Sequence, residues 1–290
     1  MAIDIDQAHR LLDLLIPEDW EERQAQGFTI TRRNNMGYIE YKKDNYIGTL
    51  SINRPKALNA LSREIVDEMD IFIEEIKKDQ DVRCLIIYSE NNFAAGADIK
   101  DMSVCNKEGA KHFVFSPTYN KLADLNIPTI AAIEGYALGG GLELALTADI
   151  RIADEKAMMG FPEVTLGVFP GAGGSIRAPK IIGEAYAKEL IFTGSVIKAW
   201  KAFEMGLISK VVENENVYEE ALKLAGKIAK NGPIAVRTAK EVIRYGLDEP
   251  NQNKAIDFEC EKWAELFETE DQKEGMGAFI EKRKPEYNNK

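Results

Sequence analysis

Residues 127–153, IPTIAAIEGYALGGGLELALTADIRIA, decide how this chain is read. Thr129 to Gly135 form an apolar run after Pro128, the composition of a strand buried on both faces. Gly139, Gly140 and Gly141 then open a helix-like segment, LELALTA, and a second short apolar run, RIAD, follows at 151–154. Strand, glycine loop, helix and strand in immediate succession predict an α/β unit with parallel strands. The first amides of a helix have no intrahelical acceptor, and the helix dipole adds positive potential there. A glycine-lined junction can therefore hold an anion or an oxyanion. Glu143 lies two residues beyond the last glycine, where a carboxylate suits the dipole. Its neighbours Leu142, Leu144, Ala145 and Leu146 are all apolar, so the helix is expected to be buried and Glu143 to be a candidate acid or base.

The same rhythm extends outward. RCLIIY at 83–88 reads as another buried strand, and NNFAAGADIK at 91–100 follows it with small residues at Ala94 to Ala97 that let a ligand approach the backbone. Two amide-lined loops at the C-terminal ends of neighbouring strands could each lend one N–H to a single carbonyl oxygen. Downstream, FPEVTLG places Glu163 in an apolar loop before GVFPGAGGS, so two carboxylates accompany the two loops, as proton transfer beside a polarised carbonyl requires. Upstream, Tyr38 to Tyr41 and Ile47 to Ile52 read as a hairpin around KKDN, and a helix is expected from about Ser62 to Lys78. Leu11, Leu12, Leu15 and Ile16 share one face of a short helix that Pro17 ends, and residues 18–37 read as an irregular connection. From Ala185 onward the patterns are helical.

Composition narrows the function. With 290 residues, 45% of them hydrophobic, the chain can build a sizeable core. Cys84, Cys105 and Cys260 form neither a CxxC motif nor an even set, so disulfides and zinc are not expected, and the N-terminus carries no signal-like pattern. These features lead to an expectation of a cytoplasmic protein with no membrane segment. The net charge of −11 argues against nucleic acid as a partner. His9 and His112 are the only histidines, which leaves little scope for a histidine-based metal site or a Ser/His/Asp triad.

Taken together, INRPKALNALS at 52–62, FAAGADIKDM at 93–102, the 127–153 stretch, FPEVTLGVFPGAGGS at 161–175 and EGMGAFIEKRKPEY at 274–287 resemble the crotonase, or enoyl-CoA hydratase/isomerase, family, in family order over roughly 250 residues. The resemblance implies an α/β fold: an N-terminal helical extension at 1–37, a spiral core of ββα repeats at 38–195, and a C-terminal helical region at 196–290 that forms trimers or hexamers. It implies an acyl-CoA thioester as substrate and no separate cofactor or metal. The backbone N–H groups of Ala97 and Gly140 would form the oxyanion hole. Glu143 and Glu163 match the two glutamates that hydratases keep, with Glu143 activating water and Glu163 delivering the proton to C2. Lys56, Ala57, Ala95, Asp98, Ile99, Lys100, Phe279 and Lys282 match positions that meet CoA, and Met158, Phe161 and Pro170 match the acyl pocket. The expected activity is reversible hydration of a 2-enoyl-CoA. The alternatives are a cyclic dienoyl-CoA hydratase, a Δ3,Δ2-enoyl-CoA isomerase, or a protein that binds CoA esters or RNA without turnover. Three departures stand out: MMGFPE at 158–163 replaces a more usual FGQPE, Pro117 lies within what is usually a helix beside the pocket, where it should break or kink it, and the appendage before Tyr38 exceeds a minimal member and is a candidate cover for an intersubunit surface.

Overall fold

Paired apolar runs at the start of the core become a hairpin in the computed structural model, which describes residues 37–213 and 216–290. The helix expected at 8–16 and all of the connection expected at 18–37 except Gly37 lie outside the described residues. β1 (Ile39–Asp44) pairs antiparallel with β2 (Ile47–Ile52), Ile39 opposite Ile52. The expected KKDN loop shrinks to a two-residue turn because β1 runs on through Lys42 to Asp44, and Asn45 takes a positive φ of 52°. α1 (Arg63–Lys78) starts where Ser62 caps it by accepting from the Ile65 N–H, and it buries Ile65, Val66, Met69, Phe72, Ile73 and Ile76.

β3 (Cys84–Tyr88) is followed by α2 (Ile99–Ser103), α3 (Lys107–Phe113) and α4 (Ser116–Ala123). Pro117 does break the expected helix: α3 ends at Phe113, and α4 begins afresh with Pro117 in its first turn, where a missing N–H costs nothing. β4 (Thr129–Ile133), β5 (Tyr136–Leu138), α5 (Gly140–Ala145), β6 (Ile150–Asp154) and β7 (Met158–Gly160) follow, then α6 (Gly174–Ile182), α7 (Glu184–Thr193), β8 (Val196–Lys198), α8 (Ala199–Glu204) and β9 (Lys210–Val212).

The strands form two layers. A six-stranded sheet runs β1-β2-β3-β4-β6-β9, parallel from β2 onward, and a smaller sheet runs β5-β7-β8. Isolated bridges between Leu61 and Ala97 and between Ala94 and Ala137 carry the second line of pairing back to earlier loops. Successive repeats thus give one strand to the large sheet, a short strand or bridge to the second, and then a helix, which is the ββα spiral. Side-chain alternation sorts the large sheet into two cores. Leu85, Ile87, Ala131 and Ile133 join α1 and the inner layer, while Cys84, Ile86, Ile130, Ala132 and Ile152 pack against Val217, Ala221 and Ala225 of α9 (Val217–Ala229).

The helical region expected from residue 196 begins later. Residues 196–212 still contribute β8 and β9 to the two sheets, so the uninterrupted helices are α9, α10 (Pro233–Asp248), α11 (Gln252–Glu265) and α12 (Glu270–Glu281). The three-residue length of each strand hid them from a periodicity reading. α10 is pinned to the core by Lys240, whose buried ammonium donates to the Ile127 carbonyl (2.8 Å) and to Asp149 Oδ2 (2.7 Å).

Candidate active site

Each of the three glycines solves a different problem. Gly139 has φ +49°, and a Cβ there would come within 2.9 Å of Glu163 Oε1. A Cβ on Gly141 would collide with the Ala94 carbonyl oxygen at 2.1 Å, so its bareness lets α5 sit on the 93–97 loop. Gly140 is the one with room: a Cβ there would stand 3.6 Å from Ala97 N and 3.6 Å from the Phe115 ring. The space beside Gly140 is therefore the space in front of the Ala97 amide.

Both amides are free to donate. The bridge between residues 61 and 97 is closed by Leu61 N–H to Gly96 O and Asp98 N–H to Leu61 O, which turns the Ala97 N–H away from that pairing. Gly140 is the first residue of α5 and has no acceptor inside the helix. Among the described residues neither N–H has an acceptor. Two adjacent unsatisfied donors in an apolar setting suit an oxygen that gains negative charge.

Glu143 is 3% exposed, and its Oε1 accepts from the N–H groups of both Ala172 and Gly174, each at 2.7 Å. Burial raises its pKa, while these two amides and the charge of Arg177 hold the rise back by favouring the carboxylate. Arg177 lies against Gly173, donating to the Ala172 carbonyl (3.1 Å) and to Asn120 Oδ1 (2.7 Å), so it shapes the loop that grips Glu143. Glu163 is different. It sits in the 3-10 turn Pro162–Leu166, and both its carboxyl oxygens are buried without a hydrogen-bond partner. Burial pushes its pKa up to about 7; its own backbone N–H pulls downward without reaching hydrogen-bond geometry, and the Glu143 charge pushes further up. One carboxyl is thus held toward its ionised form by amides, and its neighbour is tipped toward the neutral acid.

The remaining residues singled out from the sequence fall into three groups. Phe161 and Pro170 are buried and meet at Gly174, where a Cβ would touch Phe161, Pro170 and the Glu143 side chain; Met158 lies on β7, half-buried, opposite Tyr136. Lys56, Ile99 and Lys100 are exposed and Ala57 and Ala95 half-buried, with Ala95 N–H donating to Leu58 O beside Ala57. The Asp98 carboxylate is already engaged: it caps α2 through the Lys100 N–H and pairs with Arg54 at 2.9 Å, which lowers its pKa against the opposing effect of burial. Phe279 and Lys282 end α12, and Phe279 is 85% exposed, so the fold of one chain does not cover its ring. His9 and the His112 side chain lie outside the described residues.

Sequence reasoning missed the groups that hold the site together. Ala172 and Gly174 were visible as a glycine-rich loop after Glu163, and a buried Glu143 demanded donors, but nothing local said that this loop supplied them. Phe115, Arg177 and Tyr119 likewise become relevant only through packing. The Tyr119 hydroxyl is wholly buried and donates to the Gly140 carbonyl at 2.9 Å. Among the described residues no cluster of His, Cys, Asp and Glu could hold a metal ion, and no helix is long and apolar enough to cross a membrane.

Two free amides facing one gap lie beside two unlike carboxyls on a ββα spiral, and the family model for enoyl-CoA hydratase/isomerase matches residues 42–290: the chain belongs to that family. Its relatives include a short-chain-enoyl-CoA hydratase of Clostridium acetobutylicum, 45% identical over 249 residues (84% of this chain, 95% of the relative), and a crotonyl-CoA hydratase of Syntrophomonas wolfei, 40% identical over 253 residues (86% and 97%). A solved enoyl-CoA hydratase from Bacillus anthracis superposes with a TM-score of 0.84 at 39% identity, covering 87% of this chain and all of that one.

Proposed function

We propose that this chain is an enoyl-CoA hydratase that adds water reversibly across the double bond of a short 2-enoyl-CoA thioester. The observation that carries the reading is the unlike pair of carboxyls, Glu143 gripped by two amides and Glu163 buried without a partner, beside two unoccupied N–H donors. The thioester oxygen accepts from Ala97 and Gly140. Glu143 takes a proton from water as its oxygen bonds to C3, and the double-bond electrons move onto the thioester oxygen as an enolate. Collapse of the enolate takes the proton of Glu163 at C2. Water is thereby added whole, and solvent exchange restores the proton to the dyad after product leaves. Polarisation by amides and proton transfer by carboxyls leave no step that calls for a metal or redox cofactor.

Phe161, Pro170 and Met158 border the acyl chain in this reading. Lys56 and Lys100, exposed at the loop mouths, offer charge to the CoA phosphates, with Ala57, Ala95 and Ile99 along the pantetheine; Asp98 serves by holding its loop through Arg54. Phe279 and Lys282 close over the nucleotide from a neighbouring subunit. Exposure of Ile256, Trp263, Met276, Phe279 and Ile280 on the C-terminal helices supports assembly as a homotrimer or homohexamer. Three free cysteines suit a cytoplasmic setting, and the acidic surface disfavours nucleic acid.

The test is loss of the conjugated thioester absorbance of crotonyl-CoA and longer 2-enoyl-CoA esters. Wild type is expected to turn over the short esters, and Glu143→Gln and Glu163→Gln each to lose about 100-fold or more in kcat. Near-normal turnover in either variant would remove that residue from the mechanism, and no turnover of any enoyl-CoA by wild type would overturn the function.

A further inference from the structure

We propose that Tyr119 is a positioning residue for the oxyanion hole: its buried hydroxyl fixes the Gly140–Gly141 peptide and so, together with the bonds that hold Gly139, limits rotation about Gly140 and keeps the Gly140 N–H aimed at the gap beside Ala97. The inference rests on the hydratase reading above. Gly139, Gly140 and Gly141 carry no side chains, so up to Leu142 the backbone entering α5 is restrained by hydrogen bonds rather than by side-chain packing of its own. On the N-terminal side of Gly140 it does: Gly139 N–H donates to Gly160 O, and Glu143 N–H donates to Gly139 O, both at 2.9 Å. On the C-terminal side, the side-chain donor to the Gly140 carbonyl is Tyr119 Oη, at 2.9 Å. The phenol is buried, it has no solvent to bond to instead, and burial together with the Glu143 charge keeps it protonated as a donor.

Tyr119 is itself held in place. Phe115, one turn earlier on the same segment, packs against its ring at 5.8 Å and lines the gap beside Gly140, while Thr118 donates to Asp70 of α1. Its neighbour Asn120 accepts from Arg177, which also donates to the Ala172 carbonyl in the loop that grips Glu143. The first turns of α4 therefore brace both halves of the site, and they lie where they do because Pro117 starts a new helix there. Tyr119 touches no reacting atom; it acts through Gly140.

The experiment compares wild type, Tyr119→Phe and Thr118→Val. The last removes a buried hydroxyl bond from the same helix on its other side, toward α1. Two readouts are taken: steady-state hydration of crotonyl-CoA, and the carbonyl stretching frequency of bound butyryl-CoA by difference infrared spectroscopy. Butyryl-CoA has no double bond to hydrate, and the bound band reports only protein folded well enough to bind. Wild type is expected to lower the carbonyl frequency relative to free butyryl-CoA. Tyr119→Phe should recover a clear part of that lowering and lose about 10-fold in kcat with KM within about 2-fold, the scale of one buried hydrogen bond expressed in the transition state. Thr118→Val should keep the wild-type frequency. A full carbonyl shift and normal kcat in Tyr119→Phe overturn the inference, as does an equal loss of shift in Thr118→Val, which would make the effect one of α4 in general. No shift in wild type would instead overturn the oxyanion reading on which the inference rests.

Discussion

Replacing Glu163 with Gln should make the protein worse at catalysis and more stable, by an amount that depends on pH. Glu163 titrates near 7 in the folded chain against 4.5 for an ordinary glutamate, because its carboxyl is buried without partners. The folded state therefore binds this proton more tightly than the unfolded state. Stability contributed by the neutral carboxyl is complete below about pH 4.5 and is lost as pH rises through 7. The full difference corresponds to about 3 kcal/mol, and residual solvent screening at a half-buried residue brings the expected effect to about 2 kcal/mol. Glutamine keeps the shape of the neutral acid and cannot ionise. Urea unfolding of wild type and Glu163→Gln, at matched protomer concentration between pH 5 and 8.5, should show curves that nearly coincide at the acid end and separate by about 2 kcal/mol in favour of the variant at pH 8.5. A gap that stays constant across that range, or a variant less stable at pH 8.5, would mean that the fold does not favour the neutral Glu163 carboxyl, and the acid role given to it would lose its physical basis.

Two further outcomes follow from the same geometry. Gly141→Ala drives a Cβ to 2.1 Å from the Ala94 carbonyl and should cost folding stability, about 3 kcal/mol or more by thermal melt, whereas Gly140→Ala meets only ordinary contacts and should melt near wild type while losing most activity, since its methyl stands in front of the Ala97 amide. The hydration rate should fall as pH rises above about 7, because the neutral form of Glu163 is the proton donor; kcat/KM for crotonyl-CoA from pH 5.5 to 9 checks this, and a flat profile through pH 9 would remove the free-enzyme acid assigned to Glu163.

Much of this protein was legible without coordinates, and the reason lies in what local sequence encodes. Alternation and apolar runs set β2, β3, β4 and β6, the spacing of Ile65, Met69, Phe72, Ile73 and Ile76 set α1, and Pro117 marked a helix boundary because its ring forbids the preceding turn. The motif order identified the family and singled out Glu143, Glu163 and the Ala97 and Gly140 amides as candidates. β8 and β9 escaped notice because three residues carry no usable periodicity and exist only by pairing with β7 and β6.

Chemical difference between the two glutamates belongs to the tertiary structure alone. Both stand in apolar sequence, and although Glu143 opens a helix while Glu163 follows a proline in a loop, nothing within a few residues says which of them will meet hydrogen-bond donors. Glu143 meets Ala172 and Gly174, 29 and 31 positions away, while Glu163 meets the bare backbone of Gly139 and no donor. In the same way the sequence determined that three glycines precede a buried helix, yet only the fold assigned φ to Gly139, an open amide to Gly140 and a close contact to Gly141. Composition and spacing fix which groups exist and which local geometry they favour. Desolvation, hydrogen-bond supply and steric approach depend on what long-range packing brings within a few ångströms, and those set the protonation states on which the chemistry runs.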